Sequence, residues 1–376
     1  MKLKQSVRRS CISAFVTIMT LQSFGFCGLG PMSPPLEGQV MEKAIRAELL
    51  MSIGSDKENE DFFKPAYFTV DPEGHIYVLD SGNSRIQCFS GEGRFLFSFG
   101  RLGQGPGELS KDASRIRLLE DGNLYVIDDS QRRITAYSRS GKYQKSWVLT
   151  SVYDDICLKN QTYYLSNLFL KNEHHPVHSS RDLSQIDTSF GDFIEPTPGI
   201  QKAITTSPFL QMLERQFAFP IFPNFTHLFV NSKEEITYSQ SNPYHLVKYG
   251  KDGRKTGEAI ARVDFDTYFP LKIEFGKDSV TYHLASSPAR AYEPISLDDD
   301  TLFVPVMCPD RSFVFLDIYD SGLRQLSRYR LANIFFDAKK KEGVTNFYID
   351  QKRNLYCLVV SQETYPRLSK YKLLFD

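Results

Sequence analysis

FTVDPEGHIYVLDSGNSRIQCFSGEGRFLFSFG, from Phe68 to Gly100, is followed by IRLLEDGNLYVIDDSQRRITAYSRSGKYQKSW, from Ile116 to Trp147. The two stretches superimpose without a gap. Gly74 and Gly122, Tyr77 and Tyr125, Asp80 and Asp128, Arg85 and Arg133, Ile86 and Ile134, and Gly93 and Gly141 each stand 48 positions apart. Fixed-period self-similarity is the signature of a repeat architecture. Within the first copy, Phe68 to Val70, His75 to Leu79, Arg85 to Phe89 and Arg94 to Phe99 are short strand-like runs. Between them lie Asp71-Pro72-Glu73-Gly74, Asp80 to Ser84 and Ser90 to Gly93, where proline presets φ and glycine lets the chain reverse. Four antiparallel strands in 33 residues make one propeller blade. One such sheet cannot bury its own faces, so further blades must follow.

Degenerate copies do follow. Ile156 to Leu170 resembles the first two strands of a third blade, with Asn160 in place of the turn glycine. From Phe225 a fourth copy aligns Tyr249 with Phe89 and Gly253 with Gly93. Ile295 to Leu326 makes a fifth, and Phe347 to Leu374 a sixth that stops after its third strand. Its missing outer strand can come from Ala47 to Ile53, which precedes the first blade as RFLFSFG precedes the second. The expected fold is therefore all-β, a six-bladed β-propeller of four-stranded antiparallel blades, closed by an N-terminal strand and carrying a partly helical insertion. Closure also removes the exposed sheet edges. In domain terms, residues 1–30 read as a leader, 31–45 as a linker and 46–376 as one propeller.

The pattern VDPEGHIYVLDSGNSRIQCFSGEGRFLFSFG, followed by GQGPGEL, closely resembles the NHL-repeat propellers, in particular six-bladed propeller proteins exported or lipid-anchored in bacteria. The resemblance is strong over Phe68 to Trp147 and weaker beyond. It implies the fold and leaves function open, because such propellers include binding proteins, lyases and esterases.

The N-terminus carries Lys2, Lys4, Arg8 and Arg9 before an apolar run from Cys11 to Leu29, ended by Pro31, Pro34 and Pro35. This reads as an export leader. Cleavage after Cys27, lipidation at Cys27 and an uncleaved anchor are all open, and each puts the folded part outside the cytoplasm in the periplasm or at the cell envelope. Cys88, Cys157, Cys308 and Cys357 sit in apolar runs with no metal-type spacing and read as buried hydrophobes. An exported location permits a disulfide that the sequence cannot pair. Lys+Arg and Asp+Glu balance at 45 each, so no global field favours nucleic acid, and membrane contact is expected only through an N-terminal lipid or anchor. Phe 29 and Tyr 20 against Trp 1 suit pleated, half-buried sheets.

Two segments stand outside the blade pattern: Lys171 to Asn224, with a helix expected over SPFLQMLERQFAF from cap Ser207 and Pro208, and Arg262 to Glu293, an extended linker or hairpin. Each can be a functional lid or a bland loop. Blade geometry puts the loop between strands two and three on the same face as the inter-blade loop, so Asp80 to Arg85, Asp128 to Arg133 and Arg101 to Glu108 should be neighbours. The candidate ligand residues on this face are Asn83, Arg101, Arg115, Arg132 and Arg133, whose basic tint suits an anionic or sugar-like ligand. The repeated pairs Asp80 with Arg85 and Asp128 with Arg133 read more simply as hydrogen-bond staples of the repeat. GQGPGEL lacks the Lys-Ser/Thr ending of a phosphate loop and reads as an inter-blade turn.

The resemblance also raises a metal, since some NHL-type lyases hold zinc in the channel through histidines from different blades. The candidates here are His75, His227, His245 and His283, together with the tract His174, His175 and His178, and none matches a motif of those enzymes. No GxSxG, HExxH or paired-cysteine motif is present. The leading expectation is a monomeric, non-catalytic binding or scaffold module that holds a protein, peptide or glycan on its loop face. The runner-up is a metal-assisted lyase or hydrolase with a divalent metal in the channel, and a purely structural assembly protein is the third reading.

Overall fold

The structure is a computed structural model. It describes residues 42–54, 61–167, 175–195 except 193, 202, 206, 226–260, 263, 265, 267, 271–275, 280–284, 289–298, 300–309, 313–331, 334, 342–361 and 363–375. The helix expected from Ser207 lies outside the described residues.

The first strand, β1, runs Glu42–Ile53. Blade one comprises β2 (Tyr67–Val70), β3 (Ile76–Asp80), β4 (Arg85–Phe89) and β5 (Phe95–Phe99), hydrogen-bonded in that order. Blade two repeats it with β6 (Ala113–Leu118), β7 (Asn123–Asp128), β8 (Arg133–Ser138) and β9 (Tyr143–Val148). Blade three has β10 (Asp155–Lys159), β11 (Thr162–Ser166), β12 (Val177–Ser180) and β13 (Thr188–Phe190), so its outer strands fall inside the segment read from sequence as an insertion. Those strands are short and polar, VHSS and TSF, which is why they carry no alternation to recognise. Blade four is β14 (Thr226–Val230), β15 (Ile236–Gln240), β16 (His245–Tyr249) and β17 (Lys255–Ile260). The second expected insertion contains a separate hairpin of β18 (Leu271–Phe275) and β19 (Val280–Leu284).

Blade five opens with two short strands, β20 (Arg290–Ala291) and β21 (Ile295–Asp298), both paired to β22 (Thr301–Met307), and continues through β23 (Val314–Asp320) and β24 (Gln325–Leu331). Blade six has β25 (Gly343–Ile349), β26 (Asn354–Val360) and β27 (Arg367–Leu374), and its outer strand is β1. Arg46 to Ile53 pair antiparallel with Leu374 to Leu368, as the truncated sixth repeat requires. The strand starts earlier than expected, inside the stretch read as linker. Glu42 to Ile45 pair parallel with Arg328 to Leu331 of blade five. One segment therefore ties two blades together.

Among the described residues, six apolar clusters form the core, and each lies between two neighbouring blades. Phe62, Phe68 and Val78 meet Ile53, Tyr356, Leu358 and Leu368 between blades one and six. Tyr77, Leu79 and Ile86 meet Leu109, Ile116 and Val126 between one and two. The series continues with Ile127 and Ile134 against Ile156 and Leu165, Tyr164 and Val177 against Leu228 and Tyr238, Tyr244 and Leu246 against Val304 and Val306, and Leu316 and Leu331 against Leu355 and Cys357. Stacking of faces supplies the burial that a lone blade lacks. Cys88, Cys157, Cys308 and Cys357 are free; Cys88, Cys308 and Cys357 are buried, whereas Cys157 is only partly so.

Candidate functional site

The loop face has the neighbours that blade geometry demands. The inter-blade turn Arg101 to Leu109 closes on itself through Leu109 N–H to Arg101 O at 2.8 Å and Gly103 N–H to Leu109 O at 3.1 Å. Arg133 enters this turn, donating from Nη1 to Gln104 O at 2.9 Å and from Nη2 to Glu108 O, while Gln131 Nε2 donates to Gly103 O at 2.7 Å. Arg133 is thus buried and committed to backbone. Asp80 pairs with Arg85 at 3.0 Å and accepts Phe63 N–H at 2.7 Å. Its repeat equivalent Asp128 differs, because it accepts from Ser110 N–H at 2.7 Å and Ser110 Oγ at 2.6 Å while Arg133 turns to the loop. Both aspartates are structural staples, with different partners.

The five candidate ligand residues do not converge. Asn83 is exposed and donates to Asp80 Oδ2 at 2.8 Å. Arg101 is exposed at the outer turn and pairs with Glu108 at 2.8 Å. Arg132 is exposed in a left-handed conformation, φ 47°, like Ser84 at φ 53° in blade one. Only Arg115 reaches the channel.

In the channel, the innermost strands converge and sequence reasoning missed most of what they carry. Arg115 and Arg117 of β6 point toward Asp155 of β10, Tyr67 of β2, His227 of β14 and Glu293 between β20 and β21. The Arg115 Nη1 donates to Tyr67 Oη at 2.8 Å and to His227 Nδ1 at 3.2 Å, and lies 3.4 Å from Asp155 Oδ1. Tyr67 in turn donates to Glu293 Oε2 at 2.5 Å. Arg117 is a fork on Asp155, Nε to Oδ1 at 2.8 Å and Nη2 to Oδ2 at 2.7 Å, with Nη1 on Glu293. Asp155 also accepts Ile156 N–H and Leu228 N–H, both at 2.9 Å, so its carboxylate is saturated.

Burial opposes the charge of Arg117, yet the Asp155 carboxylate outweighs it and holds the guanidinium pKa above its ordinary value. Burial raises Tyr67 against the pull of Arg115 and Arg117. His227 is driven well below the ordinary histidine range, first by burial and then by Arg115, Arg290 and Arg117, so its ring is neutral. The Cys157 thiol, pushed up to about 12 by burial, donates to Leu228 O at 3.3 Å and is no nucleophile. Nearer the loop face, burial raises Asp129 to about 7 against its bond from Ser114 Oγ, with Asp154 adding repulsion. Asp154, itself raised to about 6 by burial, accepts Thr226 Oγ1 at 2.8 Å.

Among the described residues, the histidines of the metal reading form no three-ligand group with one another. His75 lies in a turn of the opposite face, His245 in the third strand of blade four bonded to Glu258 at 2.6 Å, and His283 in β19. Of the tract, His174 lies outside the described residues, His175 accompanies Gly191 O at 2.9 Å, and His178 belongs to β12, where burial lowers it to about 4. Among the described residues, the one group that brings three potential ligand atoms within 4.8 Å of one another is Asp71, Glu73 and His75. That group is already employed. Asp71 accepts His75 N–H at 2.7 Å and the Tyr77 hydroxyl at 3.3 Å, and Arg139 faces both Asp71 and Glu73.

The sequence profile of the family DUF5128, described as 6-bladed beta-propeller, matches residues 69–358. The chain belongs to this family. No curated protein matches the sequence. Among solved structures, the DUF5128 propeller is similar to a member of the duf4221 family from Bacteroides vulgatus, with a TM-score of 0.56 at 9% identity over 89% of this chain and 100% of that one. It is also similar to a Bacteroides fragilis protein provisionally described as exported, with a TM-score of 0.53 at 13% identity over 88% and 96% of the chains. A streptogramin B lyase superimposes with a TM-score of 0.50 at 7% identity over 87% and 98%. At such identities the likeness concerns the fold alone. Among the described residues, no helix of the propeller is long and apolar enough to cross a membrane.

Proposed function

We propose that this propeller is a non-catalytic binding module of the cell envelope, exported by its N-terminal leader and docking a protein or peptide segment on its loop face. The carrying observation is an asymmetry between the two faces. Phe63, Leu102 and Tyr365 lie in loop-face connections, and Val148 and Ile260 end the outer strands β9 and β17 where these run into that face; all five are between 52% and 78% exposed. Among the described residues, the other exposed large apolar side chains, Leu49, Leu50, Leu96, Tyr143 and Leu326, lie within outer strands at the rim. The turns of the opposite face present Glu73, Glu92, Asp121, Arg139, Asp252 and Arg353 instead. Exposed aromatic and aliphatic groups beside Arg101 and Arg132 have the composition of a protein docking surface. The saturated charges of the channel argue in the same direction, because Arg117 and Asp155 are occupied with each other rather than poised for proton transfer.

Peptides selected from a random display library on the purified chain provide the test, with affinities measured by fluorescence anisotropy. Replacing Leu102 and Tyr365 with serine is expected to weaken them at least tenfold, whereas replacing Lys142 and Arg353 on the opposite face leaves them unchanged. Equal loss in both variants overturns the assignment of the face. Binding of oligosaccharides with no peptide selected moves the ligand class to glycans.

A further inference from the structure

The outer strands of blades one, two, four, five and six carry a β-bulge at one equivalent position, directly after a residue paired with an aromatic of the third strand. Phe95 pairs with Phe89, Tyr143 with Tyr137, Lys255 with Tyr249, Gln325 with Tyr319 and Leu49 with Tyr371, and in each blade the ladder skips the next residue. The skipped residues are Leu96, Gln144, Thr256, Leu326 and Leu50, and all are exposed. Gln144 and Thr256 show that the bulge itself needs no apolar side chain, and exposed sheet edges are ordinarily blunted with charge. Blades five, six and one are consecutive around the ring, yet they place leucine there, 46%, 52% and 45% exposed, and blade six adds Leu49 at 57%. Because the position is the same in each blade, the leucines stand at one height along the rim.

We propose that this arc of the rim, centred on blade six, rests edge-on on a lipid bilayer, with its leucines reaching the boundary between headgroups and acyl chains. Two observations choose a lipid surface over a protein partner. The arc is aliphatic, whereas protein docking cores are enriched in aromatic and arginine side chains. It also surrounds the point where the chain enters the propeller, since β1 runs first along β24 of blade five and then along β27 of blade six. From Cys27, beside the end of the apolar run, to Glu42 even a fully extended chain reaches only about 50 Å. A membrane tether of that length, attached at this edge, keeps the arc nearer to its anchor than the far side of the ring. Lys43, Arg46 and Arg330, exposed on β1 and β24 beside Glu42 and Glu48, suit headgroups of mixed charge. The proposal rests on the reading of the chain as a cell-envelope protein held by its N-terminus. It is independent of the loop-face ligand, because an edge-on propeller leaves that face open.

The experiment reconstitutes the full chain into vesicles of phosphatidylethanolamine and phosphatidylglycerol that contain a phospholipid with a diazirine in its acyl chain. After illumination, proteolysis and mass spectrometry locate the adducts. A convex rim meets a plane deepest at its middle, so the label should be heaviest at Leu49 and Leu50, lighter at Leu96 and Leu326, and absent at Gln144 and Thr256. The double replacement Leu49→Gln with Leu50→Gln should lower the label at Leu96 and Leu326 roughly threefold or more, while residues before Glu42 keep theirs because the tether is untouched. Should that variant fail to fold, the distribution in the unmutated chain decides by itself. Adducts confined to residues before Glu42 would mean a tether alone, overturning the proposal while the envelope reading stands. Equal labelling of all five bulges, or labelling of the loop face in place of the rim, also overturns it, and a chain with no adduct at all overturns both.

Discussion

Asp155 receives the Arg117 guanidinium side-on, with Nε at 2.8 Å from one carboxylate oxygen and Nη2 at 2.7 Å from the other. Fork geometry of this kind adds direction to the charge attraction, and here it joins the inner strands of blades two and three across the channel. Breaking a buried pair on one side is costly because the remaining charge has no compensation. Asp155→Ala should therefore destabilise the protein by about 3–5 kcal/mol, read from the urea midpoint. The double replacement of Asp155 by Leu and Arg117 by Met should recover much of that loss. A double variant as unstable as the single one would assign the effect to packing rather than to the stranded arginine.

Gly122 and Gly141 separate two causes of turn strain in one blade. Both are left-handed, at φ 79° and φ 82°. A Cβ on Gly122 meets nothing within 4 Å, whereas one on Gly141 comes within 2.7 Å of the Phe99 ring in the preceding blade. Gly122→Ala should cost about 1–2 kcal/mol from the backbone alone. Gly141→Ala should cost measurably more in parallel denaturant titrations, and equal losses would show that Phe99 yields freely.

Asp129 predicts a pH dependence of definite sign. Its folded pKa of about 7 stands above the unfolded value of about 3.9. The folded state therefore binds more protons between these values, and the stability associated with Asp129 is full below pH ~4 and lost as pH rises through about 7. Asp129→Asn removes the titration, so its melting temperature should exceed that of the unmutated protein by more at pH 8 than at pH 5. The depressed His178 and His227 act in the opposite sense but are common to both proteins and cancel in the difference. A constant difference across that range would place Asp129 in water.

Blades one and two were legible because Gly74, Gly122, Gly93 and Gly141 mark both reversals with the residue the backbone prefers. Blades three, four and six make the same left-handed turn with Asn160, Glu234 and Arg353, so the geometry persists while the cue disappears. The turn aspartate survives in part. Asp71 and Asp350, each three residues before the left-handed position, accept the hydroxyls of Tyr77 and Tyr356, whereas blade two has Leu119 there and its Tyr125 donates to Asp121 within the turn. Closure was readable from the truncated last repeat, but the parallel pairing of Glu42 to Ile45 with blade five was not, since it depends on where the strand points after leaving blade six. The channel was least legible. Arg115 drew notice as one basic residue among several, whereas Arg117, Asp155, Tyr67 and Glu293 acquire meaning only when the inner strands of five blades meet at one axis.

The central claim is that the loop face, rather than the opposite face or the channel, meets the partner. Photo-crosslinking in the native cell addresses it most directly, with p-benzoylphenylalanine placed singly at Leu102 and Tyr365 on the loop face and at Lys142 and Arg353 on the other. The account predicts a crosslinked species of one common mass from both loop-face positions and none from the opposite pair. Crosslinks from Lys142 or Arg353 alone, or from all four positions alike, would contradict it.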